Sequence, residues 1–366
     1  METDYAIIGG GVVGLSVAWG LLRRGLTVTV LDGDDGSFRA SRGNFGLVWV
    51  QSKGMNQPRY AQWSQDSATI WADFANEVGD NTGQPIPLEQ NGGLDLHFSE
   101  ETLEKTVQRY EKLKEQLGGN YPYEVLGHNA LRKSEPHIGP KVVGAILHHQ
   151  DGHANPLKLL VALAADVRRL GGRVLTGKTV TDVTKPDAFR VICSDGTSVT
   201  SNKVVLSAGL GAAQIGPKMG FKAPIRPQRG QVLITERLPK LINRPSLIAR
   251  QVDEGGIQIG ATNEEVGLDD SVTQPGLSGL AAEAIAAYPE LARAQLVRSW
   301  GALRILSPDG LPIYQQSAEM PGAYLVTCHS GITLAAAHAR LLPDWLEGTD
   351  AAPDLEVFSE NRFSVS

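Results

Sequence analysis

Tyr5-Ala6-Ile7-Ile8-Gly9-Gly10-Gly11-Val12-Val13-Gly14-Leu15-Ser16-Val17-Ala18-Trp19-Gly20-Leu21-Leu22-Arg23-Arg24-Gly25-Leu26-Thr27-Val28-Thr29-Val30-Leu31-Asp32 is the stretch that decides the fold. Residues 5–8 read as a short apolar strand, 9–14 as a glycine turn, 15–24 as a helix and 27–31 as a second strand, together one βαβ unit. Gly9, Gly11 and Gly14 satisfy G-x-G-x-x-G: the first permits the tight turn, the second lets backbone approach a pyrophosphate, and the third allows close helix-to-strand packing. Val12 and Val13 open the helix, whose N-terminus offers free N–H groups and a partial positive charge to an anion. Asp32, followed by Gly33, closes the second strand about 20 residues after the glycines, where a carboxylate accepts from a ribose hydroxyl. Gly9, Gly11, Val12, Val13, Gly14, Asp32 and Gly33 are therefore expected to hold a dinucleotide.

The next segment chooses between dinucleotides. Ser41, Arg42, Gly43, Asn44, Gly46 and Leu47 make a second patch of small, polar and cationic residues soon after the strand. A short NAD has no use for such a patch, whereas FAD, with a pyrophosphate and an isoalloxazine to seat, uses both.

Composition narrows the class. At 366 residues the chain is long enough for two cores. A net charge of −6 without long runs of one sign gives no footprint for nucleic acid, so a small-molecule ligand is expected. Cys193 and Cys328 are far apart and form no thiol cluster, which excludes an iron–sulfur or zinc site built from cysteines and fits a cytoplasmic setting. No metal is expected. Arg23 and Arg24 read as a solvated helix face rather than a targeting signal, and no apolar run is long enough for a membrane span.

Along the chain, helices are expected at 59–78, 100–117, 157–170, 277–287 and 331–346. Strands are expected at 92–98, 173–175, 179–184, 203–207, 230–235, 256–261 and 323–327, with a hairpin at 189–200. The implied fold class is α/β (α+β): a discontinuous Rossmann-type FAD-binding domain, 1–85, 145–225 and 300–366, with a second, mostly antiparallel substrate-binding domain, 86–144 and 226–299.

Six segments recur in order as in one family: the fingerprint itself, SRGNFGLVW (41–49), RGQ (229–231), IGAT (259–262), ALRILSPDGLPI (302–313) and CHSGITLAAAHARLL (328–342). The chain resembles the D-amino-acid oxidase superfamily of FAD-dependent oxidoreductases over nearly its whole length. The SRGNFGLVW form is most similar to FAD subunits of heteromeric dehydrogenases of the opine oxidase and hydrogen cyanide synthase type. The resemblance implies that Val180 holds the adenine side through its backbone and that Ala208 and Gly209 lie over the pyrophosphate. It implies that Gly331, Ile332, Thr333 and Leu334 bring a helix N-terminus to the flavin's pyrimidine edge, and that Gly301 belongs to the cofactor contacts. It also implies that Arg304 forks onto a substrate carboxylate, for which a planar, permanently charged guanidinium is suited; a salt bridge to Asp309 is the structural alternative. Where one branch of the superfamily carries an oxygen-activating lysine, this chain has Gln258, and the region of the flavin-linking cysteine has none. Noncovalent FAD and poor reaction with oxygen are expected.

The implied reaction is dehydrogenation of a C–N bond in an opine, D-amino acid or secondary amino acid. Hydride goes to flavin N5 and water hydrolyses the imine to an oxo acid and an amine, with no general base required. Electrons then pass to a partner subunit carrying further redox centres, or to another non-oxygen acceptor. An oxygen-using amine oxidase and an FAD-holding relay subunit without its own substrate site are the alternatives, while a flavin hydroxylase lacks its Gly-Asp signature in Cys328-His329-Ser330-Gly331. His329 is expected to polarise flavin or substrate, or to make an orienting hydrogen bond. Gln51 is expected to face the substrate or a partner's cofactor, and Lys53 the surface. His148, His149, Asp151 and His153 read as solvated or hydrogen-bonded rather than as metal ligands.

Overall fold

The glycine turn is the hinge of the largest layer. In the computed structural model, which describes residues 1–33 and 39–364, strand Glu2–Ile8 leads into helix Val12–Leu22 and then strand Val28–Asp32. Eight strands form this sheet. Arg173–Thr176, Val28–Asp32, Glu2–Ile8, Ser198–Leu206 and Ala323–Thr327 run parallel; Phe189–Cys193, Val180–Thr184 and Ile313–Gln316 join antiparallel. Ile7, Val30 and Val205 are fully buried, as expected for parallel strands covered on both faces. Helices Val12–Leu22 and Pro156–Arg169 pack on one face with the C-terminal helices. Gly20 permits that closeness: a Cβ there would lie 2.1 Å from Ala339 O.

A four-stranded antiparallel sheet follows the order Ala249–Gln251, Gly256–Gly260, Arg226–Arg237, Leu296–Leu306. Leu233, Ile257 and Ile259 point to one face, into a core shared with Leu280 and Ala284 of helix Gln274–Ala287. Alternation then sends Gly230, Val232, Gln258, Gly260 and Arg304 to the other face. Two three-stranded antiparallel sheets, one holding Leu47–Val48 and one holding Gly93–His97, complete the α/β architecture.

The expected elements are present with shifted ends. The helix expected at 59–78 is two, Pro58–Thr69 and Trp71–Thr82, because Thr69 Oγ1 turns back onto Gln65 O and Ile70 leaves helical geometry. The second arm of the hairpin and the strand expected at 203–207 are one strand, Ser198–Leu206. The helix expected at 331–346 is a turn at 331–334 followed by Ala335–Arg340 and Leu342–Glu347, since Pro343 has no N–H to offer Ala339 O. Strands Gly144–His148 and Leu296–Leu306 run across the domain divisions expected at 144/145 and 299/300. Among the described residues no helix is long and apolar enough to cross a membrane.

Candidate active site

A cavity of about 950 Å³ opens above the glycine turn, at the upper end of the roughly 300–1,000 Å³ range typical of ligand pockets. Gly9, Gly11, Val13, Asp32 and Gly33 line it from the βαβ unit. Ser41, Arg42, Val180, Ala208 and Gly209 line it from the segments expected to meet the rest of the cofactor. Gly9 holds φ at +110°, a conformation that favours glycine, and a Cβ there would lie 2.5 Å from Ser207 O. Gly14 does not line the cavity; a Cβ on it would lie 1.9 Å from Gly9 O, so it lets the helix start against the turn. Asp32 accepts from Gly10 N, and Val12 N donates to Ser41 Oγ at 3.1 Å, which ties the second patch to the helix N-terminus. These residues fit a dinucleotide: the glycines let turn, strands and helix pack more closely than any Cβ allows, which leaves bare backbone and the Asp32 carboxylate along the cavity wall.

The cavity ends at Thr327 and Cys328, where the turn 331–334 begins. Gly331 backs onto the first helix, with Val12 Cγ1 3.0 Å from where its Cβ would stand. Leu334 N donates to Ser330 O and Ala335 N to Ile332 O, so the turn closes on itself before the helix starts at Ala335. Trp71 Nε1 donates to Ile332 O (2.9 Å), Ser67 Oγ to Thr333 O (2.7 Å), and Trp49 N to Thr333 Oγ1 (3.1 Å). Thr333 Oγ1 in turn donates to Leu47 O, joining the turn to the 41–49 segment. In that segment Asn44 caps its own loop by accepting from Gly46 N, and Trp300 Nε1 donates to Gly43 O.

Arg304 projects from the face of the antiparallel sheet opposite the helix. Its Nη1 donates to Gln228 Oε1, Arg229 O and Thr262 O at 2.8–3.4 Å, and its guanidinium lies over Gly230, where a Cβ would stand 2.7 Å from Nη2. The alternative partner Asp309 is engaged instead by Arg362, Nε to Oδ2 at 2.8 Å. Among the described residues Arg304 forms no carboxylate ion pair, and its partners are neutral oxygens. Gln258 is buried on the same face. Gly301 does not itself line the cavity but packs on Asp270, which does; a Cβ on Gly301 would meet Asp270 O at 2.3 Å.

One expectation changes. Lys53 is not on the surface: it is half-buried and its Nζ donates to Ser330 Oγ at 2.6 Å, with Tyr60 OH 2.8 Å from the same hydroxyl. Burial holds its amine down to about 8, helped by the charge of Arg304. Gln51 is fully buried; its Nε2 donates to Gly93 O and Asp151 Oδ2, while its Oε1 has no partner among the described residues. Asp151, expected with its neighbouring histidines to be solvated or hydrogen-bonded, is hydrogen-bonded: it is fully buried, pushed up to about 7 by that burial, and accepts from Val50 N and Gln51. The histidines diverge: His148 is buried against Tyr121, His149 bonds Glu124, and His153 bonds Arg250. His329 is held neutral, down to about 3, by burial and by the charges of Lys53 and Arg304. Tyr60, Ser330 and Asp151 join Lys53 and its turn without any local signal in the sequence, because their partners lie up to 277 residues away.

The description "FAD dependent oxidoreductase" fits residues 4–345 as a family match. The chain is 40% identical over 366 residues to an opine oxidase subunit of Rhizobium meliloti, covering 100% of this chain and 98% of that protein. It is 30% identical over 403 residues to the HcnC subunit of hydrogen cyanide synthase of Pseudomonas aeruginosa, covering 98% and 96%. The crystal structure of glycine oxidase from Geobacillus kaustophilus has the same fold, with a TM-score of 0.91 at 24% identity and 98% of both chains covered. With the fingerprint cavity, the second patch and a match over nearly the whole length in agreement, the chain belongs to the FAD-dependent oxidoreductase (DAO) family, and FAD is its cofactor.

Proposed function

We propose that the chain dehydrogenates the carbon–nitrogen bond of an amino-acid-like substrate: an opine, a D-amino acid or a secondary amino acid. The observation that carries this reading is Arg304, a guanidinium with its Nη1 fixed by neutral oxygens and no carboxylate paired to it among the described residues. That arrangement suits capture of a substrate carboxylate through the remaining N–H groups. The 40% identity to a protein named as a subunit of opine oxidase supports the substrate class.

Gly9, Gly11, Val12, Val13, Gly14, Asp32 and Gly33, with 41–47, Val180, Ala208, Gly209 and 331–334, are the residues assigned to hold FAD. Bound there, FAD would supply a two-electron acceptor for the substrate's hydride. The chain's own work is to hold the carboxylate at Arg304, to keep His329 neutral as a hydrogen-bonding group beside it, and to bury the reacting carbon under the sheet. Water then hydrolyses the imine to an oxo acid and an amine.

Cys328 lines the cavity, but burial pushes its thiol up to about 12, which keeps it a poor nucleophile and supports noncovalent FAD. Gln258 in place of a lysine supports slow reaction with oxygen, and the names of two relatives as subunits support electron transfer to a partner subunit. Both cysteines are free and buried, which supports a cytoplasmic setting. The test is a product balance: one oxo acid and one amine for each flavin reduced, without peroxide released at the rate of substrate oxidation. Peroxide at that rate makes the chain an amine oxidase, and reduction without C–N cleavage refutes the reading.

A further inference from the structure

On the reading that this site oxidises an amine, we propose that Lys53 is its catalytic base, accepting the proton of the substrate's ammonium. The geometry begins behind the lysine. Residues 50–54 bend into a tight turn in which Lys53 N donates to Val50 O at 3.1 Å and Ser52 adopts φ +61°. Such a conformation at a non-glycine residue costs on the order of 1–3 kcal/mol and persists only where its surroundings hold it. Here the fully buried Asp151 holds it, accepting from Val50 N, Gln51 N and Gln51 Nε2, while Tyr121 OH donates to Val50 O. On the far side Gly54 seats the turn on helix Pro58–Thr69, where a Cβ would lie 2.4 Å from Ala61 N. The outcome is that Lys53 is thrust inward between that helix and the turn at the end of the FAD cavity, its Nζ on Ser330 Oγ and above the ring of Tyr60.

Two groups here titrate near neutrality, Lys53 and Asp151, the carboxyl pushed up to about 7 behind the turn; it is Lys53 that reaches Ser330. The Cys328 thiol and the Tyr60 phenol are pushed up by burial, and His329 is held neutral. Burial presses the lysine towards its neutral form; Cys328 and then Asp151 oppose it, and Arg304 adds the smallest push, so the amine is half neutral near pH 8. A carboxylate bound at Arg304 would offset the charge that disfavours protonating Lys53, so correct substrate docking strengthens the base.

An ammonium nitrogen has no lone pair with which to expel hydride. In the step, one N–H bond of the substrate breaks and an Nζ–H bond forms. The freed pair becomes the C=N bond as the α-carbon's hydride leaves to the FAD that the proposed activity already requires as oxidant. Lys53 carries the proton away and, being half-buried, returns it to solvent.

The experiment is anaerobic stopped-flow flavin reduction at limiting substrate from pH 6.5 to 10 for the holoprotein, Lys53→Met and Lys53→Arg. The wild type is expected to rise with pH and level near about 8. Both variants are expected to lose that bend and to fall on the order of 100-fold at pH 8, and added methylamine is expected to restore activity to Lys53→Ala. Competitive acetylation of the holoprotein, read by peptide mass spectrometry, measures the lysine directly and needs no folded variant: a midpoint near about 8 supports the proposal, whereas the ordinary value of about 10.4 overturns it. A bend that survives in Lys53→Met also overturns it. If no amine reduces the wild-type flavin, the amine reading itself fails and this inference with it; if amines reduce it but the bend is absent, only the base is wrong.

Discussion

Replacing Arg304 by Met removes the guanidinium and keeps most of the side-chain length. In the free protein the loss is modest, because Nη1 serves Gln228 Oε1, Arg229 O and Thr262 O, which are neutral acceptors on a half-buried sheet face. In the substrate complex the proposed loss is larger. The remaining N–H groups give room for two charge-assisted hydrogen bonds to a carboxylate, together worth about 3–4 kcal/mol net of hydration, or on the order of 10²- to 10³-fold. The assay is the ratio of limiting flavin-reduction rate to substrate Kd under anaerobic conditions, with FAD content and thermal unfolding as controls. Gly230→Ala is the companion, since its methyl would stand 2.7 Å from Nη2 and displace the guanidinium without removing its charge. An intermediate loss is expected there. A fall of less than about threefold in Arg304→Met, with FAD retained, would refute carboxylate capture by this residue.

Other consequences follow from the same geometry. Asp32→Asn should weaken FAD binding by roughly tenfold or more, as one charge-assisted hydrogen bond is lost; equilibrium dialysis against FAD reads this, and unchanged affinity would detach Asp32 from the cofactor. Ser67→Ala removes the hydroxyl that donates to Thr333 O and accepts from Ala337 N, and should destabilise the protein by about 1–3 kcal/mol while loosening FAD, seen as a lower Tm and faster FAD release. His153 and His338 are buried and held neutral, each down to about 3 from the usual 6.5. The unfolded chain therefore takes up their protons first. The stability they contribute is complete above about pH 6.5 and is lost as pH falls towards 3, so denaturant midpoints should drop across that window. His338→Gln should flatten the drop, and an unchanged pH dependence would contradict the assignment.

The chemistry that was legible in the sequence was local. The glycine turn, its flanking strands and Asp32 sit within one βαβ unit, so spacing alone pointed to residues that line the large cavity. Helix ends were less legible where a single side chain decides them, as Thr69 does by bonding back to Gln65 O and Pro343 by withholding an N–H. For Arg304, the residue proposed to hold a carboxylate, the sequence neighbour Asp309 is a poor guide to its partners, because the strand ends at Leu306 and the turn carries Asp309 to Arg362. Lys53 was misread because an isolated lysine reads as solvated. What drives it inward is Asp151, about a hundred residues on, and Ser330, further still, and nothing in the pattern around 50–54 records those contacts.

The most direct measurement is anaerobic bleaching of the flavin band near roughly 450 nm, the expected signature of flavin redox chemistry, by opines, D-amino acids, sarcosine, glycine and proline derivatives. Substrate-dependent bleaching by one of these classes, with slow return of colour in air, is the result expected of an amino-acid-like C–N dehydrogenase. Fully bound FAD that none of them bleaches, alone or with a partner subunit restored, would contradict it.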